Sequence, residues 1–246
     1  MVSKRKLILV LVFTVLLLIV VSACSPKLTD DEKEGITQIY QVEKAARDVY
    51  KYLFDKWGTE ILNSISQSEQ QHMDIMKELV DKYKLENPVA GNDYGVFSNS
   101  DLQTLYVNLI NKGSVSAKAA LSTAAMIEEF DLVEIQKYFD QTDRDDILKA
   151  YERLSLGSDT HLRSFVSQLK AVGVDYQPEY LSKEEFNQSI ATKTTTVTSI
   201  PKGQTAYYSC FCCGYTEKAS TDIPFEDLPP TKVCPVCGCT MDLVVW

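Results

Sequence analysis

From Ile36 onward the apolar positions recur at helical spacing, through Ile39, Tyr40, Ala46, Tyr50, Phe54 and Trp57. Thr29-Asp30-Asp31-Glu32 ahead of them has the form of a capping box, and Gly58 is a stop, so the pattern predicts a first long helix between the two. A second is predicted from about Glu60 to Tyr83, with Leu62, Ile65, Met73, Met76 and Val80 on one face. Pro88, Gly91 and Gly95 mark a long loop, after which Ser100-x-x-Gln103 predicts the cap of a short helix through Leu102, Leu105 and Leu109 to Gly113. Two more long helices are predicted, at about Val115 to Asp140 and Arg144 to Val172. Their apolar stripes are Leu121, Ala124, Ala125, Leu132, Ile135 and Phe139, and Ile147, Tyr151, Leu154, Leu162, Phe165 and Leu169. No convincing strand falls in this stretch. Four helices of about 25 residues build an antiparallel bundle roughly 35–40 Å long, and the loop between the second and third lets the chain cross it. Ser182-x-x-Glu185 then predicts a short helix through Phe186 and Ile190.

Each long helix carries a polar residue at the centre of its apolar face. With Glu43 as zero and about 100° per residue, Ile36, Ile39, Tyr50, Phe54 and Trp57 all fall within about 40°. Glu69 stands in the same relation to Leu62, Ile65, Met76 and Val80, Glu128 to Leu121, Ala124, Leu132, Ile135 and Phe139, and Ser158 to Ile147, Tyr151, Leu154, Phe165 and Leu169. The chain has 2 histidines, so any imidazole site must use them. His72 follows Glu69 by three residues and His161 follows Ser158 by three, on the same faces.

Cores avoid unpaired carboxylates, because burying one costs several kcal/mol. Three acids and two histidines converging from four helices are explained together by a divalent metal pair, and imidazole with carboxylate suits iron, manganese or zinc. The bundle pattern for such a pair is a Glu on each of two helices and Glu-x-x-His on each of the other two. Glu43, Glu128 and Glu69-x-x-His72 meet it; Ser158-x-x-His161 departs from it. The simpler reading is that Glu43 pairs with Arg47, about 40° away on the same face, and that a buried histidine meets a carbonyl. The recurrence of one register on four helices argues for a shared site at Glu43, Glu69, His72, Glu128 and His161.

Glu43-Lys44-Ala45-Ala46-Arg47-Asp48-Val49-Tyr50, Ser68-Glu69-Gln70-Gln71-His72-Met73, Ile127-Glu128-Glu129-Phe130-Asp131 and Gly157-Ser158-Asp159-Thr160-His161-Leu162-Arg163 resemble the ferritin-like family of unknown function designated DUF2202. The resemblance spans about residues 35–172. It implies a ferritin-like four-helix fold and no settled activity. With Ser158 where the fourth-helix Glu belongs, a single-metal site and an asymmetric pair are both open, and Glu129 or Asp131, near the edge of the third helix's inner face, could compensate. Tyr50 and Tyr151 face inward near these positions, as proton donors or, more simply, as core aromatics.

The two ends of the chain add separate chemistry. Lys4, Arg5 and Lys6 precede a 15-residue run from Leu7 to Val21 in which Thr14 is the sole polar residue. That is a secretory signal, shorter than the about 20 apolar residues of a spanning helix. Val21-Ser22-Ala23-Cys24 resembles the bacterial lipoprotein box, which implies removal of residues 1–23, lipidation of Cys24, a tether over 24–34 and an extracytoplasmic, membrane-attached protein. A plain signal peptide or an uncleaved anchor is the alternative. Cleavage removes three positive charges, taking the net charge from −9 to about −12. That balance argues against nucleic acid as a partner.

Of 7 cysteines, 6 lie between Cys210 and Cys239. They follow a Thr-rich stretch, 191–204, that ends in Pro201 and Gly203 and reads as a linker. Cys210-x-x-Cys213-Gly and Cys234-x-x-Cys237-Gly can present four thiolates tetrahedrally to iron or zinc. A secreted disulfide scaffold is the competing reading. Together with Phe225-Glu226-Asp227-Leu228-Pro229, the two turns resemble rubredoxin over residues 205–240, although the spacer is shorter and Cys212 and Cys239 are additional. These two could pair with each other.

The expected architecture is mainly α: a ferritin-like four-helix domain at 35–190 followed by a small rubredoxin-like metal-binding domain at 205–246. That order resembles rubrerythrin. The resemblance implies a one-electron tetrathiolate iron feeding a di-iron centre that reduces peroxide or dioxygen, with an electron-donor protein and a homodimer as partners. The alternative is a non-enzymatic, lipid-anchored iron or zinc carrier whose cysteine domain holds structural zinc.

Overall fold

The computed structural model describes residues 27–191 continuously, then 206–210, 216–220, 222–223, 227–229, 231–234 and 240–245. The residues from Asp31 onward cluster as a unit of their own. The predicted signal and lipid-bearing Cys24 lie outside the described residues, as does nearly all of the predicted linker.

The described residues are mainly helical. The four predicted long helices are α1 (Asp30–Trp57), α2 (Glu60–Tyr83), α4 (Ala117–Phe139) and α5 (Asp145–Ala171), with α3 (Ser100–Gly113) and α6 (Lys183–Ile190) as the short ones. The stripes read from the sequence are the buried faces: Ile36, Ile39, Tyr50, Leu62, Ile65, Met76, Ile135, Ile147, Leu154, Phe165 and Leu169 are at most 2% exposed. Among the described residues, no helix is long and apolar enough to cross a membrane.

Three helix starts, those of α3, α4 and α6, follow local side-chain chemistry. Ser182 and Glu185 form the predicted capping box of α6. At α3 the cap is Asn99, whose side chain accepts from the Asp101 and Leu102 amides, rather than Ser100. Gln103 folds back instead, accepting from the Phe97 amide and donating to the Gly95 carbonyl, and so shapes the loop before the helix. Ser116 caps α4 through the Ala119 amide, which moves that helix's start two residues past the predicted Val115.

The loop between α2 and α3 is fastened to α1 by a buried charge pair. Lys44 Nζ lies 2.6 Å from Asp48 Oδ2 and donates to the carbonyls of Asp93 and Val96. Asp48 Oδ2 accepts from the Gly95 amide, and Tyr94 donates to the Asp48 carbonyl. Arg47 joins this group, donating to Asp48 and to Gln70 of α2. The pairing of Arg47 with Glu43 allowed by their helical angle is therefore not the one made, because Asp48 is adjacent and Gln70 faces it across the helix pair.

The described C-terminal residues form a four-stranded antiparallel sheet in the order β2 (Thr216–Lys218), β1 (Ala206–Ser209), β4 (Thr240–Val245) and β3 (Thr231–Val233). Ser209 is opposite Asp242 and Val233 opposite Thr240, so β1 and β3 both end at the start of β4.

Candidate metal centre

Glu43 of α1, Glu69 and His72 of α2, Glu128 of α4 and His161 of α5 meet in the interior, each between 0 and 4% exposed. They form two triads, Glu43–Glu69–His72 and Glu69–Glu128–His161, in each of which candidate ligand atoms lie within 4.8 Å of one another. Glu69 belongs to both. Its Oε2 is 2.8 Å from His72 Nδ1 and its Oε1 is 2.9 Å from His161 Nδ1. Glu43 Oε2 completes one side at 3.1 Å from His72 Nδ1, and Glu128 Oε2 the other at 3.4 Å from His161 Nδ1. The two imidazoles stack with centroids 5.4 Å apart.

The surroundings fix these groups. His161 Nε2 lies 3.0 Å from Ser68 Oγ. With a metal on Nδ1, the ring proton would sit on Nε2 and Ser68 Oγ is placed to accept it. His72 packs its other edge on Gly157, where an added Cβ would fall 2.4 Å from Nε2. Only a residue without a side chain lets α5 pass so close, which accounts for a glycine in the middle of a helix. Tyr50 donates to Glu128 Oε1 at 2.7 Å. Tyr151 lies elsewhere, its hydroxyl beside Gly35 of α1.

The two acids that could stand in for the missing fourth-helix Glu separate cleanly. Glu129 turns away from the centre: its carboxylate accepts from the amides of Glu179, Tyr180 and Leu181 and from Tyr176. Asp131 stays in the interior, outside both triads, and accepts from Ser158 Oγ at 2.6 Å.

Four buried carboxylates and two imidazoles share a low-dielectric interior, so without a cation the crowded carboxyls are driven to hold protons. Burial, reinforced by the Asp131 carboxylate, holds the Glu43 carboxyl well above its ordinary range. Burial likewise raises Glu128 to about 8, and burial together with Glu69 raises Asp131 to about 6. Burial would also raise Glu69, but His161 and His72 outweigh it and pull that carboxyl below the usual range. In return, Glu43 and Glu69 overcome the effect of burial on His72 and push it up to about 10. Among the described residues, Oε1 of Glu43, Oδ1 of Asp131 and both oxygens of Glu69 receive no well-formed hydrogen bond. Unsatisfied buried acceptors, imidazole nitrogens beside them and carboxyls that hold protons only because they are crowded together fit divalent cations of the iron, manganese or zinc type.

Of the predicted thiolate ligands, Cys210 and Cys234 are described. Both are buried, and they directly follow β1 and β3 at the same end of the sheet. Cys213 and Cys237 lie outside the described residues, as do Cys212 and Cys239.

Residues 32–193 match the family described as an uncharacterized protein domain, DUF2202. The chain belongs to the DUF2202 family. An uncharacterized protein of Methanocaldococcus jannaschii, MJ0754, is 42% identical over 167 residues, covering 68% of this chain and 90% of that protein. The crystal structure of that hypothetical protein superposes with a TM-score of 0.66 at 41% identity, covering 69% of this chain and 97% of the other. Fully reduced, all-ferrous nigerythrin gives a TM-score of 0.42 at 14% identity over 92% of this chain and 91% of that one, a likeness too slight to carry an argument. Glu43, Glu69, His72, Glu128 and His161 all lie inside the DUF2202 match, whereas the cysteines from Cys210 onward lie beyond it.

Proposed function

We propose that this DUF2202 protein is a ferritin-like, lipid-anchored, extracytoplasmic redox protein that reduces peroxide or dioxygen at a carboxylate-histidine centre fed by a rubredoxin-type iron. The observation that carries the reading is Glu69 shared by two buried carboxylate-histidine triads. Glu43 and His72 would hold one metal and Glu128 and His161 the other, with Glu69 common to both. Cys210, Cys213, Cys234 and Cys237 would hold the tetrathiolate iron. An iron pair held there supplies redox chemistry toward an oxygen substrate.

The protein's own groups supply orientation and protons. Ser68 Oγ stands beside His161 Nε2, where it would accept the ring proton once Nδ1 holds metal, and Gly157 leaves room for the His72 ring. Reducing peroxide to water takes two electrons and two protons. The Tyr50 hydroxyl, on Glu128 Oε1, holds a proton at the edge of the centre. Cys24 would carry the lipid, and the donor would be a reductant protein outside the cytoplasm, with a homodimer as the expected assembly.

A second reading is a non-enzymatic metal carrier with structural zinc on the cysteines. The burial of all five central residues favours it, because a substrate needs a path that storage of an ion does not.

One experiment separates them. The full chain is reduced anaerobically, freed of reductant and mixed with a small excess of hydrogen peroxide over its three reducing electrons while the ferric tetrathiolate absorption is followed. Prompt reoxidation in the wild type, lost in Glu69→Ala with the chromophore retained, is expected. A colourless protein containing zinc, or an iron protein that does not respond, establishes the carrier.

A further inference from the structure

The bundle pattern asks for a carboxylate at the fourth-helix position held by Ser158, and Ser158 cannot provide one. Its hydroxyl, fully buried, donates instead to Oδ2 of Asp131 at 2.6 Å and lies 3.2 Å from the Leu154 carbonyl. Asp131 is 2% exposed and sits three residues after Glu128, on the inward side of α4. Its second oxygen, Oδ1, is buried and receives no hydrogen bond among the described residues. A buried carboxylate with one oxygen clamped and the other bare is costly to keep unless something occupies the bare side. The groups that interact with it electrostatically include Glu43, Glu69, His72, Glu128 and His161, the members of both triads.

We propose that Asp131 supplies the fourth carboxylate ligand of the centre through Oδ1, with Ser158 as the residue that positions it. The acid that the bundle pattern places on the fourth helix is thus carried by the third, and the hydroxyl left behind orients it. The ligand set is Glu43, Glu69, His72, Glu128, Asp131 and His161, which is enough for two metals rather than one. The inference rests on the metal-centre reading above, and the test is built to separate the two.

Manganese(II) is titrated into the full chain and followed by electron paramagnetic resonance. Manganese prefers carboxylate to thiolate, so the cysteine region contributes little to the signal. The wild type is expected to take up two ions with the broadened spectrum of a coupled pair. Asp131→Asn keeps the shape and can still accept from Ser158. It is expected to weaken the second ion at least about 100-fold, leaving an isolated-ion spectrum. Ser158→Ala, which only loosens the carboxylate, should cost about 10-fold. The exchange Asp131→Ser with Ser158→Glu returns the acid to the fourth helix and should restore two coupled ions. Melting curves of the metal-free variants show that each is folded.

Two coupled ions of unchanged affinity in Asp131→Asn would overturn the role of Asp131 and leave the centre standing. No bundle-bound manganese in the wild type would remove the centre and Asp131 with it. If the asparagine variant does not fold, the Ser158→Ala titration and the exchanged pair decide the matter. Unchanged affinity in Ser158→Ala, or one isolated ion in the exchanged chain, counts against the proposal.

Discussion

The imidazole of His72 rests against the backbone of Gly157 so closely that a Cβ there would lie 2.4 Å from Nε2. By propensity alone, Gly157→Ala would favour α5 by about 1 kcal/mol. Overpacking a closed core costs about 1–3 kcal/mol, and the ring would have to leave its place. The variant is therefore expected to melt at a lower temperature and bind bundle metal at least about 10-fold more weakly. Thermal melts and a metal titration check both, and a more stable variant with intact affinity refutes this packing role.

Ser68 makes a separate demand on the other histidine. Losing the hydroxyl removes this partner from His161 Nε2, so the ring that would present Nδ1 to a metal is less firmly oriented. Ser68→Ala should reduce metal affinity about 10- to 100-fold, and Ser68→Thr should recover much of it. If alanine and threonine behave alike, the hydroxyl is not what matters.

The metal-free fold should weaken as the solution becomes alkaline. His72 is raised from 6.5 to about 10 in the folded protein, so the fold holds this proton more tightly than the unfolded chain does. Its contribution is complete below pH 6.5 and disappears as pH climbs toward 10. Glu128, raised from 4.5 to about 8, pulls in the same direction over the lower part of that range. Metal binding displaces these protons, so loading improves with pH while the metal-free protein deteriorates. The gap between the melting temperatures of loaded and metal-free protein should widen from pH 6.5 to pH 9. A gap that narrows over that interval excludes proton displacement from these groups.

Within the cysteine region the roles are expected to divide. Serine at Cys210, Cys213, Cys234 or Cys237 should abolish the tetrathiolate chromophore or its zinc, while serine at Cys212 or Cys239 should preserve it. Metal analysis of the six single variants tests the division, and equal loss at all six would defeat it.

At the other end, Cys24→Ala should release the protein from membranes or leave its precursor unprocessed. Fractionation and intact mass report on this directly. A variant that fractionates and weighs as the wild type does, apart from the substitution, would rule out the lipid.

The bundle and most of its centre could be read directly from helical angles. Glu43, Glu69 and Glu128 lie at the middle of apolar stripes, and a middle position must face the other helices whatever its chemistry. Edge positions are different, because what covers an edge is decided elsewhere in the chain. Glu129 and Asp131 were equal candidates by position. The strand of backbone at 179–181 that offers three amides to Glu129 is some 50 residues away in sequence. Ser68 is a full 100° from Glu69 on its own helix, and it matters because a ring from α5 reaches across to it. Gly157 did carry a signal, since an unexplained glycine inside a strong helical pattern often marks a close approach. The lesson at α3 is smaller: Asn99 and Ser100 are both good caps, and the turn formed by Gln103 with Gly95 and Phe97 selects the first.

The double membership of Glu69 restricts how such a centre can change over descent. A lineage that loses Glu43 or Glu128 keeps one intact triad and a single ion. A lineage that loses Glu69 keeps neither, since each half is left with one acid and one ring. Relatives reduced to one metal should therefore be missing an outer acid and still carry the central one, while relatives without the central one should have turned the whole interior over to hydrocarbon.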